Sequence, residues 1–328
     1  MPDDYLWDGS GKPDPEVQRL ERILGRLRSN RPAPELPARA IRFPRIPFPA
    51  LESIVPLRAI AAGIVLLLTA TWLATRPLKP AWEVARLEGG PKIGSDRIDE
   101  TGRLAVGEWL ETDAASRAKI KVGSIGQVEV EPNTRLRLVE ARWTNHRLAL
   151  QRGEIQARIW APPRLFFVET PSAVAVDLGC AYNLKVDEAG VGLLHVSHGW
   201  VAFELAGRES FVPAGASCVT KPGIGPGTPY YEDASEAFRT ALARLDFDNG
   251  GSEMLEVVLA ESRRRDVLTL WHLLSRTSDV DRGRVFDRTA ALVEVPEGVT
   301  REAVMKGDKR TLQLWWNELG LEESGWWQ

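Results

Sequence analysis

The chain has 328 residues, a net charge of −3 from 42 basic and 45 acidic side chains, two cysteines and twelve tryptophans. That length holds two or three folding units. A near-balanced charge argues against a nucleic-acid-binding surface, and two cysteines exclude a multi-cysteine zinc site or a dense disulfide framework.

The first predicted element is a short helix. Asp14 is placed to cap it and Pro15 to occupy its first position. Val17, Leu20, Leu24 and Leu27 then recur at three- and four-residue spacing up to Arg28, giving one apolar stripe. A lone stripe has three outcomes: it docks on a protein partner, lies on a membrane, or frays. Residues 29–56 carry seven prolines and read as an extended linker, setting residues 1–28 apart as a tail.

Ala59–Thr75, "AIAAGIVLLLTATWLAT", contains no charge and is bracketed by Arg58 and Arg76. Its seventeen residues would extend about 25 Å as a helix. This is near the lower limit for a membrane span, so residues 57–76 are read as a transmembrane helix. Trp72 and Trp82 suit its interfaces, and Arg58 and Arg76 can snorkel. Arginines close to the span tie between its two sides. The longer N-terminal flank adds Arg19, Arg22, Arg26, Arg28 and Arg31, which places the N-terminus in the cytoplasm and the bulk of the chain outside it.

From residue 77 to 225 the hydrophobic period is two. "RAKIKVGSIGQVEVEPNTRLRLVEA", "HRLALQRGEIQARIW" and "GLLHVSHGWVAFEL" alternate between turn residues, as a β-sandwich or β-barrel does. Residues 226–233, within "KPGIGPGTPYYED", are rich in proline and glycine and read as a linker that joins neither ladder nor helix. In residues 234–328 the period becomes 3.6. Five amphipathic segments and a short one around "REAVM" predict an α-helical bundle or a short HEAT-like stack, with Ser252 and Asp266 as N-caps. His272 lies among leucines and reads as a packing residue, and Trp326 and Trp327 end the chain as packing or contact groups.

"DLGCAYNLKV", Asp177–Val186, with His195 and His198 downstream, invites a catalytic reading. A nucleophilic cysteine needs a base within reach and a feature that lowers its pKa, whereas Cys180 sits among strand residues whose burial would raise it. His195 and His198, three apart in a strand, face opposite sides and make a poor metal pair. No enzyme activity, cofactor or metal is expected. A Cys180–Cys218 disulfide is the preferred reading, because both lie in predicted strands of one extracytoplasmic domain. It would contribute about 4 kcal/mol; the alternative is two small buried residues.

The order of the β-motifs resembles the FecR domain of bacterial transmembrane regulators. The matching stretches are Gly107-Glu108-Trp109-Leu110-Glu111-Thr112, "VGSIGQVEVEPNT", Leu150-Gln151-Arg152-Gly153-Glu154, Phe167-Val168-Glu169-Thr170-Pro171, "VAVDLGCAYNLKV", "VSHGWVAF" and "FVPAGAS". The family's Gly-Thr-x-Phe stands here as Gly179-Cys180-Ala181-Tyr182. The resemblance implies an inner-membrane protein with a periplasmic sensor domain. It would act through protein contacts in the cytoplasm, the periplasm or both, with a sigma factor as one such partner. The competing expectation is a non-signalling envelope scaffold whose helical module holds a partner.

Overall fold

The computed structural model describes Pro15 and residues 80–319. The expected tail helix, linker and membrane span, with Val17, Leu20, Leu24, Leu27, Arg58, Trp72 and Arg76, lie outside the described residues. No helix among the described residues is long and apolar enough to cross a membrane.

Within residues 80–319, eighteen strands come first. They are β1 (Ala81–Glu88), β2 (Lys92–Ile93), β3 (Asp96–Arg97), β4 (Thr101–Ala105), β5 (Trp109–Glu111) and β6 (Arg117–Val122). Next are β7 (Gly126–Val130), β8 (Arg135–Arg142), β9 (Asn145–Ile159), β10 (Phe166–Glu169), β11 (Val174–Asp177) and β12 (Ala181–Val186). The last are β13 (Gly192–His198), β14 (Trp200–Leu205), β15 (Arg208–Pro213), β16 (Ala216–Lys221), β17 (Gly225–Pro226) and β18 (Tyr230–Tyr231). One sheet runs β4-β1-β6-β7-β9-β12-β13-β16, with β17 and β18 on its last edge. The other runs β3-β2-β5-β8-β9-β10-β11-β14-β15. All pairings are antiparallel except β9 with β10.

Strand β9 belongs to both sheets. Its first half pairs with β8 and β10, its second with β7 and β12. The buried parity changes along it: His146, Leu148 and Leu150 face the core first, then Ile155, Ala157 and Ile159. A β-bulge makes the change. Arg135 opposes Arg152 while Leu136 opposes Leu150, which leaves Gln151 as the extra residue. Without it, a strict period of two would turn one half of β9 outward.

Gly153 follows the bulge at φ +95°, a conformation that disfavours any side chain. A Cβ there would lie 2.3 Å from Thr134 Cα. The Thr134 hydroxyl accepts from Glu154 N at 2.9 Å and donates to Glu154 O at 3.1 Å. Thr112 completes the corner: its hydroxyl accepts from Thr134 N at 2.9 Å and donates to Glu131 O at 2.7 Å.

Trp82 departs from expectation. It is 4% exposed, inside the sandwich core opposite Leu104 and near the His146 ring, because β1 alternates with Trp82 and Val84 inward. The expected linker also differs. Gly225–Pro226 and Tyr230–Tyr231 pair with β16 as short edge strands. Proline is tolerated there because an edge residue need not donate to a further strand.

Helices α1 (Glu236–Phe247), α2 (Gly251–Glu261), α3 (Val267–Leu274), α4 (Asp279–Leu292), α5 (Arg301–Met305) and α6 (Lys309–Glu318) follow. They enclose a second core that includes Phe238, Leu242, Leu255, Leu270, Val285 and Trp315. Ser235, Ser278, Thr300 and Asp308 accept backbone N–H groups as N-caps. Ser252 instead lies inside α2, where its hydroxyl bonds Asp281. Asp266 stands at the N-cap of α3 but spends its carboxylate on Arg263.

Gly153→Ala is expected to cost more than about 3 kcal/mol, because it combines a steric clash with a strained φ. Urea unfolding of the variant against Gly207→Ala, whose Cβ meets nothing within 4 Å at a similar φ of +84°, separates the clash from the strain.

Candidate functional site

The conspicuous sequence cluster resolves into a pair. Asp177 closes β11 and Cys180 precedes β12, joined by a turn in which Gly179 has φ +88°. The Asp177 carboxylate folds back over this turn. Gly179 N donates to it at 2.8 Å and the Cys180 thiol at 2.7 Å. Gly199, at φ +70°, lets β14 approach closely, since a Cβ there would lie 2.2 Å from Gly179 O.

Asp177 is 1% exposed, and burial pushes its carboxyl up to about 7 against the stabilising hydrogen bonds from Cys180 and Gly179. Burial also raises the Cys180 thiol well above its ordinary value, with the Asp177 charge adding to the effect. The Tyr182 hydroxyl is buried beside them without a hydrogen-bond partner. The expected histidines do not join. His195 faces outward from β13, with Nδ1 2.9 Å from Glu232 Oε1 and 3.3 Å from Ser217 Oγ. His198 is exposed, opposite Ala181. The geometry therefore makes Cys180 a buried hydrogen-bond donor whose surroundings disfavour the nucleophilic thiolate. Among the described residues, no group of three His, Cys, Asp or Glu is placed to hold a metal.

The expected Cys180–Cys218 bridge is corrected. Both cysteines are free and buried. Strand β13 separates them: Leu194 pairs with Leu184 on one side and with Cys218 on the other. Two strand spacings amount to about 10 Å, beyond disulfide reach. The Cys218 thiol bonds Gly227 O at 3.3 Å, and burial pushes it up to about 12.

A second polar cluster, which the sequence did not suggest, joins the sandwich to the helices. Arg276, just beyond α3, is half-buried and donates to Thr228 Oγ1, Glu209 O and Ser210 Oγ. Burial lowers its guanidinium to about 10. Asp246 of α1 accepts from Thr228 N and Oγ1 and pairs with Arg208 at 3.0 Å. His272 is a staple as well as a packing residue. Its Nε2 accepts from Phe211 N at 3.1 Å, which leaves Nδ1 to donate to Leu268 O at 2.9 Å. Burial drives this ring down to about 3. Trp316 packs against Trp200, Phe211 and Trp271 over the same junction. Only an alignment or a three-dimensional fold could have singled out Arg276, since "LLSRTS" carries no pattern of its own.

The outward face of β9, β10, β11, β14 and β15 forms a groove of about 620 Å³ between Arg147, Phe167, Glu204 and Arg208. Arg147 stacks on Phe167 and pairs with Glu169. Its mixed charges suit contact with a polar protein surface better than with an apolar ligand.

Residues 108–202 match the family model for FecR protein. Two crystal structures of a candidate anti-sigma factor from Parabacteroides distasonis ATCC 8503, at 1.65 and 2.50 Å, align with it. Each alignment has 18% identity and a TM-score of 0.34 over 42% of this chain and 64% of that one, just under two thirds of its length. No curated protein matches the chain.

Two measurements follow. Both thiols are expected to resist alkylation in the folded chain and to react fully in denaturant without reductant; a reductant requirement would restore the bridge. Asp177 holds its proton more tightly folded than unfolded, so stability falls as pH rises from about 4 to 7, by on the order of 4 kcal/mol. His272 has the opposite sign: its contribution is present above about pH 6.5 and is lost as pH falls toward 3. Asp177→Asn should therefore convert a compensated pH profile of urea midpoints into one that rises toward neutrality.

Proposed function

We propose that the chain is a single-pass membrane signalling protein. Its FecR domain and docked helices would lie in the periplasm, and its N-terminal tail would act on a sigma factor in the cytoplasm. The observation that carries this reading is the FecR match at 108–202 placed shortly after the uncharged run Ala59–Thr75. The arginine-rich flank ahead of that run supports a cytoplasmic N-terminus.

The action is by contact and involves no reaction. A periplasmic protein binds the outer body, and the tail stripe Val17, Leu20, Leu24 and Leu27 presents or withholds a surface for the cytoplasmic partner. Such a device requires only that the two ends favour different states of one molecule, with the coupling limited by the difference in affinity.

Affinity purification of the full chain from membranes is expected to bring down a sigma factor identifiable by mass spectrometry. Leu20→Asp with Leu24→Asp should abolish its recovery without changing the amount of chain in the membrane. Alkaline phosphatase fused to the C-terminus should be active and fused to the N-terminus inactive. A sigma factor retained by the double variant would remove the tail from the mechanism.

A further inference from the structure

Two tryptophans that the core does not use mark one end of the sandwich. Trp143, in the β8–β9 turn, is 89% exposed, and Trp160, just after β9, is 65% exposed. The register puts both at the end where the chain enters the fold. Glu83 opposes Lys121, so the β6–β7 turn lies beside the start of β1. Trp160 is tied to that turn, donating its backbone N to Ile125 O and its indole Nε1 to Ser124 O. A Cβ on Gly123 of the same turn would touch the His146 ring at 3.4 Å, and His146 lies 5.7 Å from the Trp82 ring. His146 in turn is three residues from Trp143 in the hairpin that closes through Arg142 and Asn145.

The chain reaches this end from Arg76, the charged boundary of the uncharged run, over four residues that span at most about 14 Å. The interfacial layer of a bilayer is itself about 5–8 Å deep on each side. Tryptophan favours that layer because its ring is apolar and its N–H is polar. Lys121, Arg142 and Arg158 are exposed at the same end, with Glu83, Glu108 and Glu140 as the opposing charges, Glu140 pairing with Arg142 at 3.1 Å. Trp160 also walls a mostly apolar groove of about 350 Å³, in which Glu83 faces Lys119 and Lys121 and Lys119 pairs with Glu129 at 3.0 Å.

We propose that this end of the sandwich rests on the lipid surface, with Trp143 and Trp160 seated among the headgroups. The inference rests on the membrane-spanning reading above. It adds that the outer body is held against the bilayer in a fixed orientation by its own rim.

The test uses the full chain reconstituted in vesicles of phosphatidylcholine and phosphatidylglycerol. Trp143→Cys, Trp160→Cys and, as a control, Glu188→Cys each carry a polarity-sensitive fluorophore. Glu188 is 84% exposed in the β12–β13 turn, which the pairing of Val186 with Gly153 and of Ala181 with Arg158 puts at the opposite end, about 20 Å away. Cys180 and Cys218 are buried and stay unlabelled. The labels at 143 and 160 are expected to shift to the blue and to be quenched by lipids brominated near the headgroup, while the label at 188 does neither. Labels at 143 and 160 that behave like 188, in chain that stays with the vesicles through an alkaline wash, overturn the proposal. A blue shift without lipid quenching also overturns it, since a protein surface then covers the rim. Chain released by the alkaline wash instead fails the membrane-spanning reading, and the proposal falls with it.

Discussion

The sandwich depends on one corner, where β9 leaves one sheet and enters the other. Three separated motifs supply it: Thr112 ends the first, Thr134 ends "EPNT", and Gly153-Glu154 ends the third. Their hydroxyls take up backbone groups that the bend removes from the ladders, a necessity in a buried position. The missing Cβ of Gly153 is what allows Thr134 to stand there. The bulge at Gln151 then resets the pleat so that both halves of β9 contribute to one core. The family-like motifs are thus pieces of a single covalent and hydrogen-bonded hinge, far apart in the chain and adjacent in space.

The helices are bound to this sandwich by a different kind of contact. Trp316 gives the junction apolar area, but Arg276, Asp246, Thr228 and His272 give it direction, because each commits its polar atoms across the boundary. Removing one member of such a network leaves the others buried and unpaired, at a cost of about 3–5 kcal/mol for a charged partner. Residues 225–231, which would have hinged the two parts, are instead pinned on β16 and capped by the same network. Asp177 and His272 lie on opposite sides of this arrangement in their response to pH, so burial of two titratable groups does not by itself make the fold pH-sensitive.

The periodicities of two and 3.6 were legible and located the strands and helices to within a few residues, since burial on one face imposes them directly. What was not legible was anything set by neighbours in space. Trp82 next to an apolar run looks like a membrane anchor until β1 is paired with β4 and the ring turns inward. Two cysteines in one domain look like a bridge until β13 is placed between them. "KPGIGPGTPYYED" looks like a linker because proline weakens ladders, and only the position of β16 at a sheet edge shows that the weakness costs nothing there. Within "DLGCAYNLKV" the Asp177–Cys180 contact depends on the turn at Gly179, and the absence of His195 from it depends on the face to which β13 turns that ring.

These contacts constrain how sandwich and helices could move apart. An opening between sandwich and helices would expose Arg276 and Asp246 unpaired, so such a state would be populated only through a ligand whose preference for it exceeds several kcal/mol. A motion of the sandwich and helices together breaks none of those bonds. A partner on the groove of β10, β11 and β14, or on the helices, would therefore act on both parts at once and not on a hinge between them. The hydrogen bonds that make the junction a poor hinge are the same ones that let sandwich and helices respond together.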